Sequence, residues 1–421
     1  MAERALRRAA QVVFRSVGTR NFRLFFVGQF VSGFGMWVQR AAELWLVLSI
    51  TSSPIAVGAV TAFGFGPVLL LGPWAGLIAD RRDRRRLLMW TQTARCLPAL
   101  ALGIMVIAGA ANLAWIFALT LASGVATAFD NPTRRAFLQE MVGRELATNA
   151  IGLNATVMTS ARMVGPLAAG VIITTIGIGW CFVINGLTYL VLVGALVAMR
   201  SAELHRLPVI DPAPRQIRDG VRYVLASPRL RTSMLILLLV GTISWGSVEV
   251  MIPLVTALVL GAGVTDYTAV FAAMGFGALV GSLVVASRPG SRLADIGATC
   301  LVLGAALILA AASINLLWAM VAFAVVGAAG AGFVGTENSF IILETEPRYQ
   351  GRVLALVSSI QLGSRSIGGL VIGILTAIGG ARVAVAVAGA LAILAGMVGW
   401  AHPGRDHRPD LVPPHADGLE V

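Results

Sequence analysis

The sequence predicts an all-α polytopic membrane protein with twelve transmembrane helices in two pseudo-symmetric six-helix bundles. Three observations carry that expectation. Of 421 residues, 57% are hydrophobic and only 12% charged, with a mean hydropathy of +0.84. A soluble domain carries about 25% charged residues and could not bury this much apolar surface. The chain also divides into twelve apolar stretches of roughly the 20 residues that a bilayer core demands. Finally, its bases gather in alternate connections, the pattern that orients membrane proteins. Composition therefore excludes a soluble enzyme, a disordered chain and a disulfide-built secreted domain.

Turn residues and charge runs set the elements in order. Residues 1–20 form a cytoplasmic N-terminal arm with Arg4, Arg7, Arg8 and Arg15, but no long apolar core or cleavage site. The first bundle, 21–200, holds spans near 22–48, 54–79, 87–109, 112–132, 147–177 and 179–199. A cytoplasmic linker, 201–230, carries Pro208, Pro212 and Pro214, then a short amphipathic helix near Ile217–Leu225. The second bundle, 231–400, holds spans near 231–260, 265–287, 293–312, 315–340, 350–378 and 380–400. The tail, 401–421, is rich in Pro, His and Asp and is expected to be cytoplasmic and disordered.

The net charge of +12 does not indicate nucleic acid. All 32 bases are arginines, and they collect between spans. Arg81, Arg82, Arg84, Arg85 and Arg86 follow span 2; Arg134, Arg135 and Arg144 follow span 4; Arg348 and Arg352 follow span 10. The opposite connections, such as Thr51-Ser52-Ser53-Pro54 and Gly177-Ile178-Gly179, are short and uncharged. This asymmetry places both termini in the cytoplasm. Cys96, Cys181 and Cys300 are too scattered for a metal site or an evident disulfide, and His205, His402, His407 and His415 lie in the linker or tail. No G-x-x-x-x-G-K-[ST] loop occurs, so no cofactor, metal or ATP drive is expected.

An internal repeat relates the halves. At an offset of 203, Gly124 falls on Gly327, Thr133 on Thr336, Arg162 on Arg365, Gly165 on Gly368 and Gly170 on Gly373. At 206, Gly35 falls on Gly241 and Glu43 on Glu249. Parallel repeats of this kind are a transporter architecture.

Between spans 2 and 3 runs Gly76-Leu-Ile-Ala-Asp80-Arg81-Arg82-Asp83-Arg84-Arg85-Arg86. An aspartate at a helix end followed by arginines can form a charge cluster that locks one conformation, or it can be a solvated loop. The run resembles the inner-loop signature of the major facilitator superfamily, with Asp83 where that signature has glycine. Asn21-Phe22-Arg23-Leu24-Phe25, Gln29, Gly35, Trp37, Gln39-Arg40 and Phe129-Asp130-Asn131-Pro132-Thr133-Arg134-Arg135 resemble the enterobactin-exporter-like branch, which includes drug:proton antiporters. The likeness is close over residues 20–200 and weaker beyond. It implies a secondary transporter with spans 1, 4, 7 and 10 around a central cavity. By the same resemblance, Gly76, Asp80, Arg81, Arg84, Arg85, Asp130, Arg134 and Glu337 form an inner gate in which Asp130 bonds the Arg84/Arg85 cluster. Gly165, Pro166 and Gly170 resemble the helix-bend motif of exporters. An arginine common in span 4 of proton-coupled drug exporters is missing here, because Leu113–Phe129 carries no charge.

Charges inside spans are expensive and mark candidate sites. Glu43 and Glu249 are the candidates for proton coupling or for attracting a cation. Arg40, one turn before Glu43, can instead hold it in a fixed ion pair. Glu249 has no arginine within a turn on its own helix and is the better proton candidate. Trp37, Trp245, Phe34, Gln29 and Gln39 are candidates for an aromatic cavity suited to amphipathic or cationic compounds. Arg162 and Arg365 either meet an anionic substrate or bond carbonyls, Asp130 or Glu337 near the cytoplasmic side.

The expected function is proton-coupled efflux of a small organic compound (a drug, siderophore or metabolite) by rocking of two lobes in the cell membrane. The expected partners are that small molecule, protons and the lipid bilayer, with no nucleic acid, and the chain is expected to act as a monomer. An uptake permease of the same fold and a non-transporting membrane sensor or assembly partner are the alternatives. No catalytic site is expected.

Overall fold

A computed structural model of the protein describes residues 15–205, 216–288 and 290–401. Arg4, Arg7 and Arg8, the linker prolines and the expected disordered tail lie outside the described residues. Among the described residues there is no strand. The first lobe comprises α1 (Arg20–Thr51), α2 (Pro54–Arg81), α3 (Arg84–Ile107), α4 (Leu113–Gly143), α5 (Glu145–Thr175) and α6 (Gly179–Val197). The second comprises α7 (Pro228–Val259), α8 (Val264–Ala286), α9 (Leu293–Ala311), α10 (Leu316–Glu344), α11 (347–379) and α12 (381–400).

Local chemistry sets the helix ends. Ser53 caps α2 by accepting from the Ala56 amide at 3.3 Å, with Pro54 in the first turn, where its missing N–H costs nothing. Asp83 caps α3 by accepting from the Arg86 amide at 2.9 Å, which gives this departure from the loop signature a physical role. Asn112 caps α4 and Asn315, 203 residues on, caps α10 in the same way. Gly177 and Gly380, also 203 apart, take positive φ values of 101° and 82° at the α5–α6 and α11–α12 turns.

The repeat extends to packing. A Cβ on Gly165 would meet Trp37 of α1 at 2.5 Å, and one on Gly368 would meet the Thr242 carbonyl of α7 at 1.8 Å. Gly170 is pressed against Thr268 of α8, and Gly373 against Pro54 of α2. Each glycine thus repeats its mate's contact in the other lobe. The last two contacts join the lobes at the end remote from the arginine-rich loops.

Two elements differ from expectation. Span 4 does not stop at Pro132. The helix continues to Gly143, burying Phe137, Leu138 and Met141 against Phe22 and Phe25 of α1. The burial of that apolar face outweighs one lost backbone hydrogen bond. Span 7 is not one regular helix. A short α segment, Val248–Leu254, lies between π turns at Val240–Ser244 and Val255–Val259. Pro253 frees the carbonyl of residue 249, and the Ser247 hydroxyl donates back to the Ile243 carbonyl. Inserted turns of this kind are common at functional sites.

The linker helix, Gln216–Ala226, is seated on the second lobe. Tyr223 stacks on Tyr349 of α11 with ring centroids 4.3 Å apart, and Asp219 lies 3.6 Å from Arg352.

Candidate functional site

The repeat brings the intramembrane charges of both lobes to one place. Arg40 of α1 donates Nε–H to Glu249 Oε2 at 3.0 Å, Nη1–H to Glu43 at 3.3 Å and Nη2–H to Thr61 at 2.8 Å. Arg365 of α11 donates to Glu249 Oε1 at 3.0 Å, and Arg162 of α5 approaches the same oxygen at 3.5 Å. Glu43 accepts its second hydrogen bond from Thr120 of α4. Glu249 is therefore not an unpaired carboxyl. Arginines from three other helices surround it, and two of them come from the opposite lobe. Glu43 is paired with Arg40 as the spacing allowed. Three arginines against two glutamates leave this buried cluster with one formal positive charge in excess.

Aromatic faces hold the guanidinium groups. Arg162 lies 4.5 Å from the Trp37 ring centroid and 5.6 Å from that of Trp245, while Arg40 and Arg365 flank Phe65 at 5.5 and 5.4 Å. A cavity of about 390 Å³ runs from Trp37, Trp245, Arg162 and Arg365 at mid-depth towards Arg135 near the arginine-rich end. Beyond the cluster the far end is closed. Tyr267 of α8 donates to the Ala41 carbonyl of α1 at 3.1 Å and stacks on Trp45 at 5.3 Å. Gly58 of α2 abuts Gly369 of α11.

Several expected cavity residues do not line it. Glu43, Glu249 and Arg40 lie behind its inner wall. Gln39 accepts from Asn185 of α6 at 2.6 Å, within the first lobe. Gln29 faces Met158, and Phe34 packs into the core. Trp37 and Trp245 do line it. The ionisable residues on the lining are Arg135, Arg162 and Arg365. That lining removes the basis for preferring a cation.

Arg162 and Arg365 lie deeper than expected, bonding neither Asp130 nor Glu337: Arg162 is 17 residues from the start of α5 and 13 from its end, and both guanidinium groups turn to Glu249. The backbone of α5 stays helical through Pro166, and the non-helical break of this stretch is Gly143. Gly165 and Gly170 serve close approach.

The gate residues also pair differently. Arg84 binds Glu140 of α4 and lies 3.5 Å from Asp80. Arg85 donates to the carbonyls of Leu196 and Val197 at 2.7 and 2.9 Å. Asp130, fully buried, accepts from Thr91, Gln92 and Arg134, with Arg95 at 3.8 Å. The expected Asp130–Arg84/Arg85 contact is absent for a geometric reason. Ten residues of helix, about 15 Å, separate Asp130 from Glu140, so the start of α3 is level with Glu140 and its third turn with Asp130. Gly76 has open space around it, and Arg81 is exposed. Glu140 escaped the sequence reading, although its acidity in an arginine-rich segment was a usable signal. Thr61 and Thr120 left none. Glu337 accepts from Ser233 of α7 at 2.6 Å and, among the described residues, meets no arginine.

A family model described as Transmembrane secretion effector matches residues 13–413. The Staphyloferrin A transporter of Staphylococcus aureus (strain NCTC 8325 / PS 47) is 27% identical over 172 residues, covering 41% of this chain and 43% of that protein. The match thus spans under half of that relative's length. Macrolide efflux protein A of Streptococcus pyogenes is 21% identical over 363 residues, covering 83% of this chain and 87% of that one. The crystal structure of a POT family transporter in complex with 5-aminolevulinic acid superposes with a TM-score of 0.74 at 10% identity, covering 90% of this chain and 95% of that one. At that identity the likeness concerns the fold alone. With the family model matching nearly the whole sequence, the chain belongs to the transmembrane secretion effector family of the major facilitator superfamily, whose members are membrane transporters and not enzymes.

Proposed function

We propose that this protein is a secondary active exporter of small organic anions in the cell membrane, working by alternating access and driven by proton exchange. One observation carries the substrate class: every ionisable residue on the cavity lining is an arginine, and Trp37 and Trp245 provide ring surface beside them. A carboxylate entering from the arginine-rich end meets Arg162 and Arg365, which otherwise share Glu249. It can replace that carboxylate on both guanidinium groups. The clustering of arginines in the connections at that end supports a cytoplasmic location for it and for both termini. The far end, closed by Tyr267, Trp45 and the α2–α11 glycines, then faces outward, and the conformation is inward-open. Relatives named for efflux and for siderophore transport support the outward direction. The chain acts as a monomer in this reading, since its site is complete within one copy.

The test is transport by wild-type protein in proteoliposomes with an imposed pH gradient, comparing terephthalate, an aromatic dicarboxylate, with the cation ethidium. Proton-driven movement of terephthalate against the proton flux, without ethidium movement, is the expected result. Movement of ethidium alone overturns the anion assignment, and co-directional movement with protons makes the protein an uptake permease.

A further inference from the structure

The two lobes treat their buried carboxyls near the arginine-rich end very differently. In α4, Asp130 is fully buried but well supplied with two hydroxyl or amide donors and the Arg134 and Arg95 guanidinium groups. At the repeat offset of 203, Arg134 falls on Glu337. The position that neutralises a carboxylate in the first lobe is itself a carboxyl in the second.

Glu337 is 0% exposed. Its Oε1 accepts one hydrogen bond, from Ser233 Oγ at 2.6 Å, and its Oε2 is buried with no hydrogen-bond partner. No cation among the described residues reaches it. On α7, Arg229 is engaged by Glu344 at 3.3 Å, and Arg231 is exposed. On α9, Cys300 is the titratable group within electrostatic range, while Asp295 caps its own helix at the Arg292 amide. Arg288 and Arg292, between α8 and α9, are exposed. On α11, Arg365 serves Glu249 and Arg352 serves Asp219. The titratable groups of α8, Asp266 and Tyr267, lie at the far end, as does Arg382 of α12, which donates to the Ala311 and Ser313 carbonyls. An ionised carboxylate offers about four acceptor sites and is too costly to bury with one neutral donor and no counter-charge.

We infer that Glu337 is the proton-carrying group of this transporter: it holds its proton in the conformation seen here and exchanges it with water when α7 and α10 part at the Ser233 contact. The step is a simple protonation, one proton taken up by the carboxylate from water and one returned. Glu43 and Glu249 are both bound to arginine and belong to the anion site. The consequence for transport rests on the proton-coupled reading above, whereas the proton on Glu337 does not.

The experiment has two arms. Infrared difference spectroscopy of purified wild type at neutral pH, against Glu337→Gln, is expected to show a protonated carboxyl band that shifts in D₂O and is missing from the variant. Glu337→Asp, which keeps the acid but moves it to a different position, is expected to shift the band without removing it, and it substitutes if the glutamine variant is not recovered folded. In proteoliposomes, Glu337→Gln is expected to keep terephthalate exchange across the membrane but lose gradient-driven accumulation at least tenfold. An unchanged carboxyl band, wild-type accumulation, or loss of exchange together with accumulation overturns the assignment. Failure of wild type to move terephthalate overturns the substrate class and leaves the infrared arm to decide Glu337.

Discussion

The Arg40 guanidinium lies 3.0 Å from the Glu249 carboxylate and ties the first helix of one lobe to the first helix of the other. The pair sits beyond the cavity, on its far-end side. Holding it together keeps that end shut, and the cavity can open there only if the pair separates.

Glu249→Gln should therefore destabilise the protein. It leaves Arg162 and Arg365 with a neutral partner in a buried site, while Arg40 keeps Glu43. Removing one member of a buried pair costs about 3–5 kcal/mol. The expected outcome is a clearly lowered thermal unfolding midpoint in detergent, together with loss of transport. An unchanged midpoint would mean that water already reaches the cluster.

Arg162→Ala and Arg365→Ala should weaken anion binding. A hydrogen bond to a charged group contributes about 1.5–3 kcal/mol, so each substitution is expected to lower terephthalate affinity by about tenfold to a hundredfold. Tryptophan fluorescence can report it, because Trp37 and Trp245 line the cavity. Gln39→Ala is the control. That side chain bonds Asn185 away from the cavity and should leave affinity unchanged.

Gly373→Val should wedge the far end apart. A Cβ there would stand 2.6 Å from the Pro54 carbonyl oxygen, and backbone cannot move aside as a side chain can. A cysteine placed at Ala41, fully buried in the closed end, is expected to react with a membrane-impermeant maleimide from the far side only in the valine background. Equal protection in both backgrounds would show that this contact does not control closure.

Much of this architecture was legible in the sequence, and the reasons are physical. Hydropathy must satisfy the bilayer segment by segment, so the spans can be read locally. The repeat could be read from Arg162/Arg365 and the glycine pairs because close helix contact demands the same small residues twice. The partners of the charges were not legible. Arg40 to Glu43 is a one-turn relation within a single helix, whereas Arg40 to Glu249 spans 209 positions and depends on how the lobes meet. Spacing does not show that the third turn of α3, and not its start, lies beside Asp130, which is why Asp130 meets Thr91, Gln92 and Arg95 and not Arg84 or Arg85. The side Gln39 faces is not legible either, because one helical position decides between the cavity and α6. Glu337 reads as a gate charge from spacing alone, because linear spacing does not reveal that its described neighbours include no cation.

The arginine pair also bears on how interchangeable the halves are. Arg162 and Arg365 are mates under the repeat, yet a single carboxylate serves both, because Glu43 is turned aside to Arg40 and Thr120. Two copies of the first half would bring a pair of Arg162 side chains together with no acid between them. Two copies of the second half would supply two acids to two Arg365 side chains and leave no charge in excess to attract an anion. Two first halves would leave two positive charges in excess and two second halves none, so the single unmatched charge at the centre belongs only to the unlike pair, and the difference between the halves sets it.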